Sequence, residues 1–431
     1  MTGASTRSEV NIAPPTRWIQ LALGIVCMVA IANLQYGWTL FINPINQKHG
    51  WGIAALQLAF SIAIATETFL AVPLGGRYVD RFGPRLTCVS GPLVALAWYI
   101  NSIADTLLLF YVSAVIAGLG SGLVFAAVYG NALKWFPDRR GLASGLTAAG
   151  FAGGGVATVV PLAGMIQSSG YQAAYLWFGL GQGIVLFVSA LLLRAPKPAE
   201  VAALAPPQVP QGQHHYAPGE VLRSPPFWLM YAMFVLVGAG GLMLQAQLAP
   251  IAVDFAIDKV PVSILGLTLM TPIFAVSFGQ AMNGLSRPTF GWISDRFGRE
   301  NTMFVAFMIE GLAFVAVIVL ADSPIWFVLL VGLVFFAWGE IFSLFPAVCT
   351  DTYGSKFASV NYGMLYTAKG VAALLVPLAN LLKGATGSWT AVFAGVAILN
   401  VIAAILALAL KRARGRAAVN ARGVQDKVLA R

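Results

Sequence analysis

Twelve runs of about 20 or more mostly apolar residues follow one another along this 431-residue chain, and they decide its fold class. They cover roughly residues 18–42, 53–76, 87–105, 107–134, 141–167, 173–193, 226–253, 263–292, 302–321, 325–350, 357–383 and 389–410. Hydrocarbon offers no water to pair with backbone N–H and C=O groups, so runs of this length cross it as helices. Hydrophobic residues are 58% of the chain and charged residues 10%, against about 25% charged in a soluble domain. The fold class expected is an all-α membrane protein with twelve transmembrane helices.

The net charge of +10 would suit a nucleic-acid binder if it were spread over one surface, but it is sorted by loop. With the N-terminus inside, the tails and the even-to-odd loops hold 21 Lys and Arg, and the opposite loops hold three: Lys48, Lys259 and Lys383. By the positive-inside rule both termini are expected in the cytoplasm, and no nucleic-acid partner is expected. Residues 1–17 are polar and lead into a full-length span without a small-residue cleavage site, so the first span reads as an uncleaved helix. Cys27, Cys88 and Cys349 have no paired spacing, and neither a disulfide framework nor a metal site is expected.

The chain is written twice. Gly76-Arg77-Tyr78-Val79-Asp80-Arg81-Phe82-Gly83 follows span two, and Gly291-Trp292-Ile293-Ser294-Asp295-Arg296-Phe297-Gly298 follows span eight. Asp80 and Asp295 are 215 residues apart, about half the chain, which implies a duplicated six-helix unit. The divisions expected are a cytoplasmic tail 1–17, an N-terminal half 18–194, a linker 195–225, a C-terminal half 226–411 and a tail 412–431. Pro196, Pro198, Pro206, Pro207 and Pro210 make the linker a segment with little structure of its own. In each loop motif the Gly (Gly76, Gly291) would let helix ends approach closely. The Asp and Arg (Asp80 with Arg81, Asp295 with Arg296) would make charge contacts across that packing.

Two Lys or Arg remain that lie away from the watery ends of spans: Arg287 and Lys369. A cation inside a bilayer is costly and usually faces a partner or an internal cavity, so two cations without obvious anions point to a site for an anion. Arg287 offers a planar fork that suits a carboxylate, and Lys369 a compact charge. Asn283 and Gln280, four and seven residues before Arg287, continue a polar stripe, and Tyr362 and Tyr366 share the face of Lys369. Three acids interrupt spans: Glu67, Glu310 and Glu340. Glu67 and Glu340 are candidates for carrying a coupled proton. Glu340, two residues from Trp338 and Phe342, points away from their face. An ion pair between one of these acids and Arg287 or Lys369 would remove the unpaired cations.

The doubled Gly-x-x-x-Asp-Arg-x-Gly pattern resembles the loop signature of the major facilitator superfamily. Tyr36-Gly37-Trp38-Thr39, the stretch from Lys134 to Gly145, Arg287-Pro288 and Ala368-Lys369 are similar to the oxalate:formate antiporter family, a bacterial branch near the monocarboxylate transporters. The resemblance covers all but the linker and tails. It implies two pseudo-symmetric six-helix halves in the major facilitator fold, with Arg287 and Lys369 binding substrate carboxylates, and Tyr36 and Trp338 lining the cavity. It also implies a peripheral span nine, where Glu310 is expected to be neutral or snorkelling. The chain departs from that pattern at four places. Phe125, Phe151 and Phe342 stand where tyrosines are expected, and Tyr366 where a tryptophan is expected. Asn283 takes the place of an Asp found four residues before the Arg in animal monocarboxylate transporters. Loss of three hydroxyls should hurt a small polar dianion such as oxalate most.

These features lead to the expectation of a secondary transporter that exchanges small organic carboxylates by alternating access, with proton-coupled monocarboxylate symport as the alternative. A transporter-like sensor or a drug–proton antiporter fits less well, since the linker and tail are short and the site is cationic. No catalytic residue, cofactor or metal is expected, and the chain is not expected to be an enzyme. The bacterial inner membrane is the expected location, with the lipid bilayer as surroundings and a functional monomer.

Overall fold

The structure, a computed structural model, describes residues 16–202, 204, 206, 209, 214–264 and 266–429. The expected N-terminal tail, up to residue 15, and linker residues Pro207 and Pro210 lie outside the described residues. Among the described residues, ten helices are long and apolar enough to cross a membrane. Two more of membrane length complete the twelve: the glycine-rich segment 140–169, and Thr271–Phe297, whose apolar character is interrupted by Gln280, Asn283, Arg287, Asp295 and Arg296.

The N-terminal half contains α1 (Thr16–Tyr36, continued by Trp38–His49), α2 (53–82), α3 (Ser90–Ile103), α4 (Leu107–Trp135), α5 (140–169) and α6 (171–191). Gly170, at φ 82°, divides α5 from α6; few other residues take that conformation without strain. The C-terminal half contains α7 (Pro225–Asp254), α8 (Thr271–Phe297), α9 (Arg299–Leu320), α10 (Pro324–Trp338, then Ile341–Tyr353), α11 (Ala358–Thr386) and α12 (Trp389–Leu429). Leu108, Val319 and Leu374 are each 70% exposed, which in a chain of this composition marks the lipid-facing belt.

Three stretches differ from the sequence expectation. Of the residues read as the start of span eight, 263–264 and 267–270 belong to the strands β1 (Pro261–Ile264) and β2 (Leu267–Met270) of a hairpin, and the helix begins only at Thr271. A short apolar run does not distinguish strand from helix by period. The linker is more ordered than its composition suggested. It forms the short helices Pro198–Ala202 and Pro218–Val221, and Tyr216 N–H donates to Tyr353 O at 3.0 Å. At its start, Arg194 and the Lys197 amide lower the Glu200 pKa to about 2. The segment expected as a tail from 412 continues α12 as helix to Leu429.

Within each half, helices pack as neighbours: α1 on α5 and α3 on α6 in the first, α8 on α10 and α9 on α12 in the second. Between the halves, α2 lies on α11 and α5 on α8. Both seams close through glycine on the face that carries the linker. A Cβ on Gly76 would lie 2.6 Å from the Ser359 backbone, and one on Gly141 would lie 2.3 Å from Gly291 O.

The two motif aspartates do the same work on either side of the pseudo-twofold axis. Asp80, in α2, accepts from Val360 N–H at the start of α11 at 3.0 Å and pairs with Lys134 at 2.6 Å. Asp295, in α8, accepts from Gly141 N–H and Leu142 N–H at the start of α5, at 2.9 and 2.8 Å, and pairs with Arg299. Each carboxylate thus sits at the positive end of a helix of the other half. Arg81 and Arg296 do not make the expected cross-seam contacts. Each lies over an aromatic ring of its own helix, Phe82 and Trp292; the charge contact across the seam is made instead by Arg140, which pairs with buried Asp351, while Arg299 holds the same Asp351 from within the C-terminal half.

Candidate functional site

Residues from the midsections of both halves line a cavity at the seam. Its cationic wall begins on α8. Arg287 is buried, its guanidinium spans to the other half to donate to Ala148 O at 2.7 Å, and Asn283 Oδ1 accepts from its Nε at 3.2 Å. The Phe342 ring lies 4.7 Å from the guanidinium carbon. Among the described residues no carboxylate pairs with it. Asn283 therefore acts by aiming Arg287, and it does not itself line the cavity.

Phe342 and Trp338 come from α10, which is interrupted at Gly339–Glu340. A Cβ on Gly339 would meet Ser286 Oγ at 2.1 Å and Asn283 Oδ1 at 2.6 Å, so only glycine lets α8 press into this break. Further along, Pro346 has no N–H to offer the carbonyl four residues earlier. That carbonyl, Phe342 O, accepts from the Tyr129 hydroxyl of α4 at 3.1 Å.

Lys369, on α11, is the second cation, and here the structure corrects the sequence expectation. It is not free: Glu67 Oε1 lies 3.7 Å from its Nζ, and Nζ donates to the Tyr366 hydroxyl at 3.0 Å. Glu67 sits in a π-helical turn of α2, Thr66–Ala71, the kind of irregularity that redirects side chains at functional sites. The Ser121 hydroxyl donates to its Oε2 at 2.9 Å and the Tyr366 hydroxyl to its Oε1 at 3.4 Å. The expectation of two unpaired cations thus holds for Arg287 alone. The sequence left such a pairing open without fixing its members, because residues 67 and 369 are remote in sequence and no period links them.

Eight of the expected residues line the one cavity: Tyr36, Phe125, Phe151, Arg287, Trp338, Phe342, Tyr366 and Lys369. Their rings form a continuous wall: Phe125 is 4.8 Å from Phe151 and 5.5 Å from Tyr366, and Tyr36 is 5.1 Å from Phe151. Gln35, Tyr129, Leu242 and Gln245 line it too and were not foreseen. Gln35 and Gln245 interrupt apolar spans and were legible in principle; Leu242 gave no signal. Two polar atoms of the wall, Trp338 Nε1 and Gln35 Oε1, are buried without a hydrogen-bond partner among the described residues. Tyr362 and Gln280 are not part of the wall.

The remaining acids stand apart. Glu340 is fully buried and does not line the cavity, in keeping with its place on the far side of α10. Glu310 is neither peripheral nor snorkelling. It is fully buried inside the C-terminal half, and a Cβ on Gly240 of α7 would lie 3.3 Å from its Oε1. Among the described residues no cluster of His, Cys, Asp and Glu suits a metal ion.

The chain matches the family model of the Major Facilitator Superfamily over residues 23–377 and 248–430. It is 33% identical over 411 residues to the oxalate:formate antiporter of Oxalobacter formigenes, covering 94% of this chain and 93% of that one. The chain belongs to the Major Facilitator Superfamily, in the oxalate:formate antiporter family. This transporter is also 25% identical over 383 residues to monocarboxylate transporter 12-B of Danio rerio, covering 80% and 77% of the two chains. Among solved structures it is similar to FucP, a transporter of the same superfamily, with a TM-score of 0.67, 16% identity and coverage of 91% and 98%. The twelve-helix, two-half architecture of this transporter is accordingly the major facilitator fold. Family and fold point to a multi-pass membrane transporter and not to an enzyme.

Proposed function

We propose that this transporter exchanges small organic carboxylates by alternating access, with the substrate held between Arg287 and Lys369. One observation carries the proposal: a buried guanidinium with no carboxylate partner among the described residues, beside a buried ammonium, in an aromatic cavity at the seam of the two halves. A carboxylate there would accept from the Arg287 fork, from Lys369 and from the idle Trp338 Nε1, while Tyr36, Phe125, Phe151, Phe342 and Tyr366 exclude water and strengthen the attraction. The relatives support the substrate class, since their names describe transport of oxalate, formate and monocarboxylates. Both termini are assigned to the cytoplasm of a bacterial inner membrane, in a functional monomer. On that assignment the closed seams at Asp80 and Asp295 form the cytoplasmic gate. A site with an uncompensated cation resists closing without an anion, so exchange should outrun net flux.

The test is counterflow in proteoliposomes loaded with unlabelled oxalate or formate, with labelled substrate outside. Uptake blocked by competing carboxylates is the expected result, and no uptake of any carboxylate would sink the proposal. Glu67 favours a second reading, proton-linked symport of a monocarboxylate, because it places a carboxylate on the very cation that an incoming anion would contact; Glu340, outside the cavity, is the weaker carrier. An imposed pH gradient separates the two: symport accumulates substrate against its gradient, and strict exchange does not.

A further inference from the structure

Resting on the carboxylate-exchange proposal above, we infer that Glu67 sets the charge of substrate the site accepts, and that the site is matched to a carboxylate bearing one negative charge. Among the described residues, the charged groups that line the cavity or touch its lining are Arg287, Lys369 and Glu67. They amount to two positive charges and one negative, a net of one positive. Occlusion carries the whole group into a region of low dielectric, where an unbalanced charge is costly. A monoanion brings the occluded site to neutrality. A dianion of similar size leaves one negative charge in excess, facing Glu67.

Glu67 is built into this position. It is 4% exposed, emerges from the π-helical turn of α2, and is held by Ser121 on one oxygen and by Tyr366 and Lys369 on the other. Tyr366, which stands where the family resemblance led one to expect a tryptophan, supplies the hydroxyl that bridges ammonium and carboxylate. The same wall presents phenyl rings at Phe125, Phe151 and Phe342, which give a second carboxylate no donor. Charge and the phenyl face of the wall therefore select in the same direction: one carboxylate on the Arg287 side, and an apolar remainder against the rings. Short monocarboxylates that carry a hydrogen or a small alkyl or hydroxyalkyl group fit this description.

The experiment compares formate, lactate and oxalate as competitors in counterflow by wild type, Glu67→Gln and Glu67→Asp. In wild type the monocarboxylates should half-saturate at concentrations lower than oxalate by on the order of tenfold or more, the scale expected for one uncompensated charge at short range. Glu67→Gln, which keeps the size and the Ser121 contact but makes the site doubly positive, should reverse the order; Glu67→Asp should keep the wild-type order. Thermal stabilisation of the purified protein by sodium formate against sodium oxalate gives the same ranking where a variant does not turn over. A wild type that prefers oxalate, or a Glu67→Gln variant with an unchanged ranking, overturns the inference while leaving carboxylate exchange intact. Absence of any carboxylate response in the wild type overturns both.

Discussion

Lys369 Nζ lies 3.7 Å from Glu67 Oε1, with α11 of one half meeting α2 of the other. Both groups are nearly dry, so neither can lose its partner cheaply. Lys369→Gln strands a buried carboxylate and should destabilise the protein by about 3–5 kcal/mol. The double variant Glu67→Gln/Lys369→Gln removes both charges, leaves amides of similar shape, and should recover most of that loss. Thermal unfolding in detergent reads the cycle. Transport should not recover with stability, because the double variant still lacks the cation. A double variant no more stable than Lys369→Gln would mean that the two charges do not hold each other.

Arg287 has a different kind of partner. It donates to Ala148 O and to Asn283, both neutral, so its charge is left for a ligand. Arg287→Gln should abolish counterflow while the protein still folds. Arg287→Lys should restore little, since an ammonium does not reproduce the fork that reaches Ala148 O and a carboxylate at once. Wild-type rates in either variant would remove Arg287 from the site.

Much of this architecture was legible in the sequence, for a physical reason. In a bilayer the apolar run, the loop charge and the half-length repeat each follow from a single strong constraint, so spans and halves could be drawn from residues 18 to 410 without a structure. The site was legible where one residue violates the rule for its surroundings, as Arg287 and Lys369 do. It was not legible where function depends on distance across the seam. Glu67 could be named as an acid in a span, but its contact with Lys369 arises from the π-helical turn and the packing of α2 on α11, which no local pattern records. The same holds for Arg81 and Arg296. The motif led to cross-seam charge contacts, and such a contact exists, but it is made by Arg140 with Asp351, which Arg299 holds from within the C-terminal half. The hairpin at 261–270 was hidden because its apolar strands run straight into an apolar helix.

The glycine pair Gly141 and Gly291 makes the closed seam a test of alternating access. A Cβ on Gly141 would lie 2.3 Å from Gly291 O, which only separation of α5 from α8 can relieve. Gly141→Ala should penalise this closed state by about 1–3 kcal/mol, the usual cost of overpacking, and leave the state with an open linker face untouched. Spin labels across the linker face should report a longer mean distance, and exchange should slow by roughly one order of magnitude or more. Asp295→Asn should act in the same direction, since it weakens the contact with Gly141 N–H, Leu142 N–H and Arg299. Unchanged distances in both variants would mean that this seam does not govern the gate.

Three phenyl rings at the cavity bear on the substrate most directly. Phe151 and Phe342 pack edge-on or tilted against neighbouring rings, Phe125 meets Phe151 edge-on and stacks on Tyr129 and Tyr366, and Phe342 lies under the Arg287 guanidinium. Each lacks only a hydroxyl relative to the tyrosine expected there. A hydroxyl added at the wall can donate to a second carboxylate group, and a hydrogen bond to a charged group contributes about 1.5–3 kcal/mol where its geometry is good. Replacing all three by tyrosine should therefore lower the half-saturating concentration for oxalate by on the order of tenfold or more, and do little for formate, whose single carboxylate is already served by Arg287 and Lys369. Combining the three changes with Glu67→Gln should move oxalate further still, because one change supplies donors and the other supplies charge. Counterflow competition between oxalate and formate measures both steps. If the tyrosines leave the oxalate-to-formate ratio where it was, the hydroxyls do not face the substrate, and selection at this wall depends on charge alone.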